Sequence, residues 1–209
     1  CEVSEQPSAD IPELLIYCGI TMAHPMQEIA DIIEKEKNVR ITITQGGSED
    51  LYKSLNASRM GDLYLPGSSS YRERHLDEGL LGDFVHIGYN QASLMVKKGN
   101  PHDIDADINH LKRKDLAIVI ADPATGSIGR ETKRLLSSAG IYQEVLENAV
   151  YLTTDSRNLN RALIENEADL ILNWRATGFF GENQGAMEVL DLAPQLAKPK
   201  KLLLNRLTF

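Results

Sequence analysis

One stretch decides the fold class of this chain: LAIVIADPATGSIGRETKRLL, residues 116–136. Its first six residues are continuously apolar, which predicts a strand buried on both faces. An Asp-Pro pair then ends the strand, because proline cannot donate to a sheet ladder. A hydroxyl-rich loop, Thr-Gly-Ser at 125–127, leads into a helix, so backbone N–H groups and the positive helix end form an anion site. The alternative is an ordinary strand-to-helix turn with a helix cap.

The same arrangement recurs along the whole chain. Apolar runs of strand length alternate with segments of helical periodicity. The predicted strands and extended segments are 14–18, 39–44, 61–65, 86–96, 116–121, 149–152, 170–174, 187–192 and 201–207. The predicted helices are 26–35, 51–57, 71–78, 129–138, 141–147 and 159–165. This order predicts an α/β fold with a parallel sheet and crossover helices.

Four of the predicted strands are followed by loops of small and hydroxyl residues, at 19–21, 45–48, 125–128 and 153–156. In open α/β sheets, ligands bind beyond the carboxyl ends of the strands. Each loop precedes a helix and can therefore donate N–H and O–H groups toward one cleft. A purely structural protein needs helix caps, but it does not need glycine with hydroxyl residues at every strand end.

Composition narrows the function classes. The 209 residues carry a formal net charge of -8, which argues against a nucleic-acid partner. An anion ligand remains compatible with this charge, because neutral N–H and O–H donors hold anions without cationic side chains. The five histidines show no ligand spacing, so no metal site is predicted. The sequence has no nucleophile elbow or triad order, so we do not expect an enzyme.

The chain begins at Cys1, and the residues up to 12 are polar with two prolines. This segment reads as a flexible tether. A start without methionine implies that a secretory signal was removed. The pattern resembles a mature bacterial lipoprotein, whose first cysteine carries the lipid, so Cys1 is the predicted lipidation site. The alternative is a chain boundary that happens to fall on a cysteine. No run of about 18 apolar residues predicts a membrane-spanning helix, so a lipid would be the only membrane attachment.

Several short motifs together resemble the extracytoplasmic solute-binding proteins of ABC importers, most closely the molybdate-binding group. The matching segments are the opening strand, loop and helix at 16–30, the Gly-Gly-Ser loop at 46–51, and the segments 61–65, 97–101, 122–129 and 166–174. Their order and spacing cover nearly everything from Leu14 to Phe209.

The resemblance implies a type II periplasmic-binding-protein-like fold. This is an α/β fold of two lobes, each a mostly parallel sheet flanked by helices, with the ligand between them. One lobe would comprise 13–87 plus 185–209, and the other 88–184. Carried over by position, the ligand-binding residues would be Thr21, Ser48, Ser127, Ile128, Ser156 and Trp174.

The function implied is capture of a small oxyanion, molybdate or tungstate, by hinge closure, and its delivery to an ABC importer permease. We expect a monomer in the periplasm or on the extracytoplasmic face of the membrane, with no cofactor. Two alternatives stay open. The ligand could be phosphate, sulfate, a phosphonate or an organic acid, or the chain could be a ligand sensor that is not coupled to transport.

Two departures from the family pattern bear on the site, at Trp174 and at the end of the chain. Trp174 stands where the family usually has tyrosine, and an indole can donate but not accept a hydrogen bond. Arg175 follows it and would add a bidentate fork for an anion if it faced inward. The family normally ends with a further helix, whereas this chain ends at Phe209, so either that helix is missing or part of the first lobe is uncovered.

Overall fold

The computed structural model describes residues 10–209. Cys1 and most of the predicted tether, residues 1–12, lie outside the described residues, and lipidation at Cys1 stays a prediction.

The described residues form two five-stranded sheets, with the orders β2-β1-β3-β10-β4 and β7-β6-β8-β5-β9. The strands are β1 (Glu13–Gly19), β2 (Arg40–Gly46), β3 (Leu63–Leu65), β4 (Leu81–Asn90), β5 (Ala92–Lys97), β6 (Ile118–Ala121), β7 (Tyr151–Thr153), β8 (Leu170–Trp174), β9 (Met187–Leu190) and β10 (Lys200–Leu207). The helices are α1 (Ala23–Lys37), α2 (Ser48–Ser58), α3 (Ser70–His75), α4 (Ser127–Ser138), α5 (Tyr142–Asn148) and α6 (Ser156–Ile164). Short 3-10 turns lie at Ile20–Met22, Leu76–Glu78, Ile108–Lys112 and Arg175–Phe179.

We call the first sheet with α1–α3 lobe 1, and the second sheet with α4–α6 lobe 2. The predicted two-lobed α/β fold is confirmed. Each sheet is mixed rather than mostly parallel, with two parallel and two antiparallel pairings. Parallel neighbours need a crossover connection such as a helix. β4 and β5 follow each other in the chain without such a helix. They lie in different sheets, and each is antiparallel to its neighbours there.

The interior strand β1 is covered on both faces by helices of lobe 1. Ile16 and Cys18 pack with Met26 of α1 on one face, and Tyr17 packs with Leu55 of α2 on the other. Alternate side chains of a strand point to opposite faces, so this distribution follows from the sequence. Burial raises the pKa of the Cys18 thiol to about 12, so this cysteine is a neutral core residue, as predicted.

The apolar run at residues 116–121 contains the buried strand that it predicts in lobe 2. Every residue of β6, from Ile118 to Ala121, is at most 1% exposed, because α4 and α6 lie against this strand. The continuous apolar run is thus the signature of a strand with two covered faces.

The prediction of one long strand over 86–96 is wrong. Two strands occupy this region, β4 in lobe 1 and β5 in lobe 2, and the chain passes between the lobes at Gln91. The side chain of Asn90 donates to the Gly67 carbonyl (2.9 Å) and that of Gln91 to the Ala197 carbonyl (2.9 Å). These polar contacts fix the crossing, and an apolar pattern alone does not reveal them.

The predicted lobe boundaries stay a prediction, with two observed differences. Residues 88–90 were grouped with lobe 2 but belong to β4 of the first sheet. β9 at 187–190 pairs with β5 in the second sheet, whereas the boundary at 185 grouped these residues with lobe 1. At the far edge of lobe 1, β4 carries exposed apolar side chains at Phe84, Val85, Ile87 and Tyr89.

Candidate functional site

Three helices from both lobes begin at one place, and each begins with a serine. The serines are Ser48 of α2 in lobe 1, and Ser127 of α4 and Ser156 of α6 in lobe 2. Glycines precede α2 and α4, and within residues 10–209 no side chain caps either helix. Their first-turn N–H groups therefore remain available, and the positive ends of the helix dipoles favour an anion there.

The six residues predicted to bind a ligand line one cleft between the lobes: Thr21, Ser48, Ser127, Ile128, Ser156 and Trp174. Each of them is at most 9% exposed. In the described part of the chain, the lining of this cleft includes no lysine or arginine. Its one acidic residue, Asp155, caps α6 by accepting the N–H of Asn158 (2.9 Å).

Hydroxyl groups from the two lobes meet across the cleft. Thr21 Oγ1 and Ser156 Oγ share a hydrogen bond of 2.6 Å. The indole Nε1 of Trp174 donates to Ser127 Oγ (3.2 Å) within lobe 2. On the lobe 1 side, Ser48 Oγ accepts the N–H of Gly67 (3.0 Å). Two pairs of the side chains assigned to a ligand, Thr21 with Ser156 and Trp174 with Ser127, thus bond to each other in this conformation.

The lobes are closed on each other at the cleft. The cleft has a volume of about 10 Å³, close to the minimum for a single water molecule. A Cβ at Gly67 would overlap Ser127 of the opposite lobe, and one at Gly47 would overlap the Thr125 carbonyl. Only residues without a side chain permit this approach.

Gly67 was missed by sequence reasoning, which stopped at the strand preceding Pro66. A Pro-Gly pair after a short strand was the signal that could have found it, since this pair marks a tight turn.

Arg175 does not face the cleft. Its guanidinium instead donates two hydrogen bonds to the carboxylate of Asp191 (2.6 and 3.2 Å).

Within residues 10–209, no group of three or more His, Cys, Asp or Glu side chains is arranged to hold a metal ion. None of the helices in this range has the length and apolar character needed to cross a membrane.

Comparison with known proteins identifies the family of this chain. A family model described as bacterial extracellular solute-binding protein matches residues 14–209. The chain belongs to this family. Solute-binding proteins of this family work outside the cytoplasm and deliver their ligands to ABC permeases, so the predicted class and compartment are confirmed at this level.

Individual relatives are distant in sequence. A Haemophilus influenzae protein named as a binding protein is 22% identical over 193 residues, which are 92% of this chain and 75% of that protein. A periplasmic thiamin binding protein has a TM-score of 0.81 at 14% identity, covering 99% of this chain and 76% of its own. The periplasmic molybdate-binding protein of Azotobacter vinelandii has a TM-score of 0.74 at 13% identity, covering 93% and 85%. At these identities the solved structures establish the fold of this solute-binding protein and leave its ligand open.

Proposed function

We propose that this solute-binding protein captures a small tetrahedral oxyanion between its lobes, with molybdate and tungstate as the free ions expected. The observation that supports this most is the convergence of α2, α4 and α6 on one cleft lined by serine and threonine hydroxyls. Neutral N–H and O–H donors in a dry cleft satisfy each oxygen of a dianion, and the helix ends supply positive potential.

Binding would exchange one set of hydrogen bonds for another. An oxyanion is larger than the closed cleft of about 10 Å³, so the lobes must open to admit it. Thr21 and Ser156 then donate to ligand oxygens instead of to each other. Because ligand contacts from both lobes exist only when the lobes are together, ligand binding stabilises the closed state.

The rest of the proposal concerns delivery. The closed, loaded protein would present its solute to an ABC importer permease as a monomer held to the membrane by a lipid on Cys1. Mass spectrometry of the protein isolated from its native membrane tests the anchor. An acylated Cys1 agrees with the proposal, and an unmodified N-terminal cysteine excludes it.

Thermal melting tests the ligand. Molybdate, tungstate, sulfate and phosphate are each added to the purified protein, and chloride at matched ionic strength serves as the control. An ion present at tenfold its dissociation constant should add about 1.4 kcal/mol to the free energy of unfolding. If none of the four raises the melting temperature above chloride, the assignment to a free oxyanion is wrong.

A further inference from the structure

A second cavity, of about 290 Å³, adjoins the cleft. Ile20, Thr21 and Ser156 line both spaces, so the Thr21–Ser156 hydrogen bond lies between them. The cavity continues along one face of α6 in lobe 2, and His24 of α1 lines it from lobe 1. Its volume is near the lower end of the range for small-molecule sites, which is about 300–1,000 Å³.

The side chain of Asn160 offers an amide donor that has no hydrogen-bond partner within residues 10–209. Asn160 is 4% exposed, and its Oδ1 accepts a hydrogen bond from Asn173 Nδ2 (2.9 Å). The orientation of Asn173 is fixed, because its Nδ2 also donates to the Ser156 carbonyl and its Oδ1 accepts the N–H of Trp174. Asn160 must therefore turn its oxygen toward Asn173. Its Nδ2 finds no acceptor within residues 10–209, and it belongs to a side chain that lines the cavity.

Asn183 adds an acceptor that likewise has no hydrogen-bond partner within residues 10–209. Asn183 is 6% exposed, and its Nδ2 donates to the carbonyl of Thr177 (2.8 Å). A carbonyl can only accept, so this contact fixes the amide and leaves Oδ1 without a donor in the described part of the chain. The cavity thus offers one unpaired donor and one unpaired acceptor, both on carboxamides that are nine-tenths buried.

The remaining lining indicates that an uncharged group occupies the cavity. Arg157 and Arg161 are matched by two glutamates, Glu165 and Glu182, so the formal charge of the lining is zero with histidine neutral. Ile20, Ile164 and Phe180 add apolar surface. A bare oxyanion only accepts hydrogen bonds and does not complement the Asn183 oxygen. A hydroxyl group both donates and accepts, and the carbon that carries it suits the apolar wall.

We infer that the solute carries a short hydroxylated carbon chain on its tetrahedral oxyanion, as in a phosphate monoester of a polyol or sugar. The oxyanion group occupies the cleft and the hydroxyls occupy the cavity, where they bond to Asn160 and Asn183. This inference rests on the proposed oxyanion site. The ester bond passes between Thr21 and Ser156, whose hydroxyls then bond to the ligand instead of to each other.

Calorimetric titration with graded ligands tests the inference. Inorganic phosphate and methyl phosphate supply the oxyanion without hydroxyls, and glycerol 3-phosphate and glucose 6-phosphate add them. Two gained hydrogen bonds should make at least one hydroxylated ester bind about five- to one-hundredfold more tightly than methyl phosphate.

Two variants test whether the preference for hydroxylated esters over methyl phosphate arises in the cavity. Ile164→Trp enlarges a side chain that lines the cavity without removing a hydrogen bond, and Ile32→Trp on the exposed side of α1 is the matched control. Asn160→Asp keeps an oxygen for Asn173 and removes the free donor. The affinity ratio of the hydroxylated ester to methyl phosphate should fall about two- to tenfold in Ile164→Trp and in Asn160→Asp, and should be unchanged in Ile32→Trp.

The outcomes separate the two proposals. If inorganic or methyl phosphate, or molybdate, binds and neither hydroxylated ester binds more tightly than methyl phosphate, the inference is overturned and the oxyanion site stands. A preference that Ile164→Trp leaves intact also overturns it. If no compound with a tetrahedral oxyanion binds, the proposed function fails and the inference fails with it.

Discussion

The hydroxyl oxygens of Thr21 and Ser156 lie 2.6 Å apart, although 135 positions separate the two residues along the chain and they belong to different lobes. Both are nearly buried, at 7% and 3% exposure. This hydrogen bond joins the lobes at the cleft and separates the cleft from the larger cavity. Its two hydroxyls are also the donors that a bound oxyanion would use.

Thr21→Val should weaken oxyanion binding. Valine has nearly the same shape and lacks the hydroxyl, so the ligand loses one donor, and we expect an affinity loss of about 1–3 kcal/mol for a bond to a charged group. Isothermal titration with whichever oxyanion binds the unmodified protein measures the change. Thr42→Val, on an exposed position of β2, is the control and should leave affinity unchanged. Equal affinity of Thr21→Val and the unmodified protein would remove Thr21 from the site.

Ser48→Ala should have an effect of similar size. Its hydroxyl accepts the N–H of Gly67 and lines the cleft, so its removal takes away a ligand donor and leaves the Gly67 N–H without this partner. We expect affinity to fall by about 1–3 kcal/mol. Ser54→Ala on the exposed side of the same helix is the matched control, since within residues 10–209 the Ser54 hydroxyl bonds only to the Asp50 carbonyl. An effect that is equal in both variants would indicate a change in α2 rather than in the site.

Gly67→Ala should prevent full closure. The new methyl group would lie 2.9 Å from the Ser127 Cβ and overlap its hydroxyl, so the closed state would be destabilised by about 1–3 kcal/mol. The clash is between lobes, so each lobe should still fold. Small-angle X-ray scattering with saturating ligand should give a larger radius of gyration than for the unmodified protein. Gly185→Ala, where a Cβ meets open space, is the control. A fully compact Gly67→Ala protein that keeps its affinity would contradict the closed geometry.

Glu78 makes lobe 1 sensitive to acid. Hydrogen bonds from His75 and then Tyr52 hold the pKa of the Glu78 carboxyl below its ordinary value of 4.5. A lowered pKa in the folded state gives stability that is complete above pH 4.5 and is lost as pH falls through the folded value. Glu78→Gln should therefore reduce stability at neutral pH and flatten its decline below pH 4.5, as measured by urea unfolding. Parallel pH profiles for both proteins would rule out this contribution.

Sequence patterns predicted the strands and helices well where periodicity was unambiguous. The predicted strand 116–121 contains β6, and the predicted helices 51–57, 129–138 and 159–165 overlap α2, α4 and α6. Each of the three helices begins two or three residues earlier than predicted, because its first turn uses the serine that was assigned to the loop. Residues 86–96 gave a wrong single strand, because the passage between lobes depends on contacts of Asn90 and Gln91 with distant carbonyls. Strand pairing in the second sheet, including β9, also depends on such long-range contacts.

The candidate site was predictable to a similar extent. The six predicted residues line one cleft because the carboxyl ends of parallel strands meet at one edge of each sheet. Gly67 and the cavity beside α6 were not predicted. The polar residues Asn160 and Asn183 look like ordinary solvated positions in the sequence, and only the hydrogen bonds that fix their amides identify them.

The fluorescence of Trp174 gives the most direct test of the oxyanion site, because this residue is the only tryptophan in the chain and lines the cleft. The protein is titrated with molybdate, tungstate, sulfate, phosphate and glycerol 3-phosphate at constant ionic strength. We predict a saturable change for at least one of them, which disappears or shifts to higher concentration in Ser48→Ala. If all five leave the emission unchanged, no oxyanion enters the cleft beside Trp174 and the central claim is wrong.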